Sequence, residues 1–192
     1  VLALNYWDRN RESEFINGLV LLSPGLETRD SRAFLSPWLK LGLKWINQNA
    51  DQDAVKYESF PMNAAAEFYH LTKDVGRADF GLLDLPVLMV VSGDDTTINN
   101  QHSVDFFCNK VTPESRKMIW YQSNLSNDMP QRSCYGIDII PTAQSDRFVS
   151  YSHVAITMPQ ADPHYGMDGN YSSCLRYSGD AALYLRCSED NE

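Results

Sequence analysis

Two uninterrupted apolar runs, GLVLLSP at residues 18–24 and LPVLMVVSG at 85–93, limit the folds open to this chain more than any other feature. Each is rich in Leu and Val, and each closes on Ser beside Pro or Gly. A strand with one face in water alternates apolar and polar residues, whereas a strand covered by helices on both faces stays apolar throughout. Both runs therefore predict central strands of a parallel sheet. A third run, RKMIWYQ at 116–122, is shorter and mixed, and RFVSYS at 147–152 alternates like an edge or final strand.

Between these strands the period changes to that of a helix. NNQHSVDFFCNKV at 99–111 places Val104, Phe107, Cys108 and Val111 on one stripe, with Thr97 or Asn99 available as its N-cap. A strand, a short polar loop and an amphipathic helix in that order make half of a βαβ unit, which assigns the chain to the α/β class. The stretch from 31 to 80 breaks this rhythm. Two helical patterns, SRAFLSPWLKLGLKWINQN and NAAAEFYHLTKDVGRAD, follow one another with no strand between them. The first is apolar on more than one face, so it belongs either to a packed helix pair or to a helical cap inserted between two sheet strands. In the cap reading Trp38, Leu41, Leu43 and Trp45 line an apolar substrate site. The segment from Ser123 to Gln144, with Pro130 and Pro141, reads as an irregular exposed loop.

At 192 residues the chain has the length of one ordinary domain, and 43% hydrophobic with 21% charged residues is the balance of a soluble globular protein. Apolar runs of five or six residues are too short to span a membrane. A net charge of −9 without a basic stripe argues against binding nucleic acid. Cys108, within the helical pattern, reads as a buried thiol; Cys174 and Cys187 flank a polar stretch and are candidates for a disulfide. No spacing of His, Cys or Asp suggests a metal site, and nothing implies a cofactor. The triplets NLS at 124 and NYS at 170 have meaning only in a eukaryotic secreted protein.

Chemistry concentrates where strands end. In open parallel sheets reactive groups gather beyond the carboxyl ends of the strands. Asp94 and Asp95 stand there after VLMVV, and His153 stands after the predicted last strand in SYSHVAITMP. Paired Asp residues are also ordinary turn formers, and a lone histidine also caps strands. Order favours chemistry: an acid past one strand and a histidine past a later one follow the nucleophile, acid, histidine sequence of hydrolase triads.

From about Gly18 onward the chain resembles the C-terminal part of α/β-hydrolases of the lysophospholipase or monoacylglycerol-lipase-like type. GLVLLSPGLE is similar to their strand before the cap insertion, LPVLMVVSGDDTTI to their acid strand, and SYSHVAITMPQADPHYG to their histidine loop. The D-x-x-[VI] pattern, met by Asp95 with Ile98, makes Asp95 the acid and Asp94 the runner-up. The resemblance implies a serine hydrolase acting on carboxylic esters through an acyl-enzyme, with His153 as base, Asp95 as its orienting carboxylate and an apolar ester or acyl chain as substrate. It departs from the family in one respect: G-x-S-x-G occurs nowhere, and Ser23 in LLSPG lacks the elbow glycines. By resemblance VLALNYW is the helix just after the elbow, so the nucleophile is expected upstream of Val1 and the chain by itself is expected to be an inactive fragment. Such a piece, with a bare strand edge, is expected to self-associate or to pair with its own N-terminal half.

Of the other histidines, His70 falls in the second helical pattern, His102 in the first turn of a helix, and His164 in a turn that would sit at the mouth of the site. Two alternatives stay open: a non-catalytic α/β module that binds a partner through the cap surface, and a hydrolase of another class, such as a peptidase or thioesterase.

Overall fold

The computed structural model describes residues 1–11, 15–48, 57, 59–78, 81–123, 129–142, 153–166, 168–171, 174 and 181–189. The chain divides into two compact units, Val1–Ile156 and Thr157–Glu192.

The first unit opens with helix α1 (Leu2–Arg9) and strand β1 (Leu19–Leu22). A 3-10 turn (Ser31–Leu35), the single-turn helix α2 (Ser36–Leu39), and the short strands β2 (Trp45–Asn47) and β3 (Phe60–Pro61) come next. Helix α3 (Met62–Arg77), strand β4 (Val87–Ser92), helix α4 (Asn100–Lys110), strand β5 (Arg116–Gln122) and strand β6 (Ile137–Pro141) complete it. Strands β1, β4, β5 and β6 form one parallel sheet in that spatial order. The α/β class is therefore correct, and all described strands of the main sheet run parallel.

Strand β4 behaves as its apolar run predicts. Val87, Met89, Val90 and Val91 are buried, and Met89 and Val91 pack with Met118, Trp120, Val104 and Phe107 in the core. Strand β1 departs from expectation. It lies at the end of the sheet, and only Leu19 and Leu21 face the core, while Val20 is 64% exposed. Its continuous apolar pattern marks a strand that could be covered on both faces; among the described residues only one face is.

Helix α4 forms where predicted. Asn99 caps it by accepting the His102 N–H, and Arg116 closes its other end, donating from one guanidinium nitrogen to the carbonyls of Phe107, Cys108 and Val111. Those carbonyls have no partner further along the helix, so a charged donor there satisfies them. Burial of this guanidinium lowers its pKa below the ordinary arginine value.

Three further expectations are corrected. The first helical pattern of the 31–80 insertion is not one helix. It stops at Leu39, turns through Gly42 with the Leu43 N–H on the Leu39 carbonyl, and continues as β2 paired antiparallel with β3. Glycine disfavours helix, and the Trp-Ile pair that follows suits an extended strand. Residues 123–144 are not wholly irregular, because Ile137–Pro141 adds a fourth parallel strand beside β5. The turn into it needs Gly136 at φ +95°, where a Cβ would meet the Arg116 carbonyl oxygen at 2.8 Å. Cys108 is not a free thiol: it is disulfide-bonded to Cys134, tying α4 to the approach to β6. The second helical pattern of the insertion holds as α3. The predicted strand at 147–152 lies outside the described residues.

In the second unit, helix α5 (Ala181–Glu189) carries Cys187, which is bonded to Cys174. A compact turn precedes it. The Asp162 carboxylate accepts the N–H groups of His164 and Tyr165, and His164 stacks on Tyr171. No helix among the described residues is long and apolar enough to cross a membrane.

Candidate active site

The site is assembled at the carboxyl end of β4. Beyond Ser92 the chain turns: the Gly93 N–H bonds to the Tyr121 carbonyl of β5, and the Asn100 side chain donates to the Ser92 carbonyl. Asp95 then folds back on its own loop. Its Oδ1 accepts the N–H of Thr97 at 2.8 Å and of Ile98 at 3.2 Å, the usual way a short carboxylate pins a turn. The residue is 1% exposed.

His153 comes to the same oxygen from 58 positions away, its Nδ1 3.3 Å from Asp95 Oδ1. Asp95 lies at the bottom of the pair, whereas the histidine side chain is 37% exposed. With the proton on Nδ1 the ring donates to the carboxylate, which leaves Nε2 as the basic nitrogen. Burial alone would raise the Asp95 pKa. The bonds from His153, Thr97 and Ile98, with the attraction of the imidazole, outweigh it and hold the carboxyl below its ordinary value. Its other oxygen, Oδ2, is buried and has no hydrogen-bond partner among the described residues.

Asp94 points elsewhere. Its carboxylate accepts the hydroxyl of Ser123, just past β5, and its N–H reaches the Ser92 hydroxyl. It ties β4 to β5 and does not share the histidine.

The loop after β1 braces the acid turn, a contact that no sequence pattern announces. Thr28 bridges Ile98 antiparallel, the Arg29 N–H bonds to the Thr97 carbonyl at 2.9 Å, and the Asn99 N–H to the Glu27 carbonyl at 2.9 Å. Arg29 also donates from its guanidinium to the Asp95 carbonyl at 3.1 Å. These contacts join residues 66 to 72 positions apart, and no local pattern encodes such a pairing.

At the neighbouring strand end, Ser23 has φ +42°, the left-handed region that serine seldom enters, and it precedes a proline. Its hydroxyl is buried without a partner among the described residues. Ser23 does not supply an elbow. In that motif the residue after the nucleophile donates its N–H to the oxyanion, and Pro24 has none.

The residues assigned from sequence to an apolar substrate wall lie on the surface. Trp38 is 75% and Leu41 81% exposed, and Trp45 is exposed as well. His164 belongs to the second unit, where its ring pairs with Asn170. His70 is exposed on α3, and His102 sits in the first turn of α4, 3.7 Å from Glu27.

Compared with protein-family models, curated proteins and solved structures, the chain finds no match in any of the three.

Proposed function

We propose that this chain carries the acid and base of a serine hydrolase that cleaves carboxylic esters, with the nucleophile supplied by a segment upstream of Val1. The observation that supports this reading is the approach of His153 Nδ1 to a buried Asp95 carboxylate at 3.3 Å, at the carboxyl edge of a parallel sheet. A carboxylate in this position fixes the imidazole tautomer and stabilises the imidazolium formed when the ring takes a proton. In the reaction, Nε2 takes the proton of the attacking serine hydroxyl as its oxygen bonds to the ester carbonyl carbon. The same proton then passes to the departing alcohol, leaving an acyl-enzyme that water hydrolyses by the reverse proton path. The 31–80 insertion, between β1 and β4, is read in this proposal as a cap, and an ester with an apolar acyl chain is the substrate that its exposed tryptophans and leucines suit.

Reaction of the full-length parent with a fluorophosphonate probe tests this. Labelling of an upstream serine, lost on Ser→Ala change there and reduced by His153→Gln, is the expected result. A folded parent that takes no label overturns the proposal and leaves a partner-binding module. A panel of ester, thioester and peptide substrates then assigns the class.

A further inference from the structure

The turn that carries Asp95 is held from two sides. On the β5 side the Gly93 N–H bonds to the Tyr121 carbonyl, and Asp94 accepts the Ser123 hydroxyl. On the β1 side residues 27–29 meet Thr97, Ile98 and Asn99. Arg29 is used twice in this second contact. Its N–H bonds to the Thr97 carbonyl at 2.9 Å, and its guanidinium donates to the Asp95 carbonyl at 3.1 Å.

The backbone beneath Arg29 is itself fixed. Pro24, Gly25 and Leu26 are buried, and a Cβ on Gly25 would meet the Phe68 ring of α3 at 2.7 Å and Ile98 Cδ1 at 3.3 Å. The segment therefore lies closely fitted between α3 and the acid turn. Glu27 anchors it by accepting from the Asn99 side chain at 2.6 Å. Beyond Arg29, the Thr28 hydroxyl donates to the Asp30 carbonyl, and the Asp30 carboxylate accepts the Arg32 N–H. A guanidinium on so firm a base is a directed donor.

Its targets bracket the part of the turn that aims the carboxylate. Asp95 Oδ1 accepts the N–H groups of Thr97 and Ile98 and lies 3.3 Å from His153 Nδ1, while Oδ2 has no hydrogen-bond partner among the described residues. One oxygen thus serves both the turn and the ring, and its direction follows the backbone from 95 to 97. Arg29 holds the carbonyls at the two ends of that stretch.

We infer that Arg29 is a positioning residue: by holding the Asp95 and Thr97 carbonyls it fixes the turn so that Oδ1 faces the His153 ring. It acts on the ring through Asp95.

Ring 15N spectra of the full-length protein, labelled at histidine and recorded at about pH 8 where an ordinary histidine is neutral, test this. They report which ring nitrogen carries the proton, and His153→Gln identifies the signals. The expected wild-type ring carries it on Nδ1. Arg29→Met keeps the backbone N–H and removes the guanidinium donor from an exposed position, so the core is untouched. It should lower the ratio of Nδ1–H to Nε2–H tautomer about fivefold, part of the worth of one hydrogen bond from a charged donor. In an Asp95→Asn background the same change should move the ratio less than about twofold. Arg29→Lys keeps a charged donor and should stay within about twofold of wild type.

A wild-type ratio in Arg29→Met overturns the inference. So does an equal fall in both backgrounds, or a lysine variant as low as the methionine one. Under the hydrolase reading, on which this readout alone rests, Arg29→Met should also lower kcat about fivefold with KM within about twofold. A protein whose tautomer depends on Arg29 yet takes no fluorophosphonate label keeps the positioning role and loses the hydrolase. A labelled protein whose ratio ignores Arg29 does the reverse.

Discussion

Asp94 and Asp95 are adjacent in the chain and serve different partners: Asp94 accepts the Ser123 hydroxyl, and Asp95 faces the His153 ring. One holds two strands together, while the other meets a histidine ring from 58 positions on. Under the proposed hydrolase function, Asp95→Asn should lower kcat by roughly a thousandfold or more, because an amide no longer stabilises the imidazolium. Asp94→Asn still accepts the Ser123 hydroxyl and should leave kcat within about threefold, costing no more than about 1 kcal/mol of stability. Steady-state ester hydrolysis on both variants checks this; equal losses would remove the distinction.

The depressed Asp95 pKa makes stability depend on pH in a definite direction. Between its folded value and the ordinary carboxylate value of 3.8, the folded state holds fewer protons than the unfolded one, so stability rises with pH. The contribution is fully present above the ordinary value and fades as pH falls through the folded one. Thermal unfolding followed from about pH 6 to pH 3 should lose stability more steeply in the wild type than in Asp95→Asn. Parallel profiles would show that Asp95 titrates normally.

Ser23 holds a left-handed backbone that glycine adopts without cost, and its buried hydroxyl has no partner among the described residues. Ser23→Gly should therefore stabilise by about 1 kcal/mol, the strain relieved exceeding the extra chain entropy. Ser23→Ala keeps the strain and should gain less. Denaturant midpoints of the two variants decide the order.

The Cys108–Cys134 bond closes a loop of 26 positions. Loop-closure entropy gives it about 3.5 kcal/mol, and about 3 kcal/mol for Cys174–Cys187 across 13 positions. Replacing Cys108 and Cys134 together by serine should lower the denaturant midpoint more than replacing the second pair. Mass spectrometry after alkylation without reductant should find no free thiol, as in proteins that mature in oxidising compartments.

Some of this protein was written locally. The apolar run at 85–93 determined a buried parallel strand, because such a run suits a strand covered on both faces, although the like run at 18–24 left Val20 of β1 exposed. The stripe from Val104 to Val111, with Asn99 before it, determined α4 and its cap, since cap and helix lie within hydrogen-bond reach of each other along the chain. The order of Asp95 before His153 was legible too. Which aspartate faces the ring was decided by tertiary structure, through Ser123 on the next strand and the His153 turn 58 positions on. So were the partner of Cys108, the edge position of β1 and the pairing of β6 with β5. Each of these joins distant segments, and periodicity reports only what neighbours in sequence do to one another. The failure of the first insertion helix has the same root: its apolar residues suggested burial, but Gly42 and the pairing of Trp45 with Pro61 turned them outward.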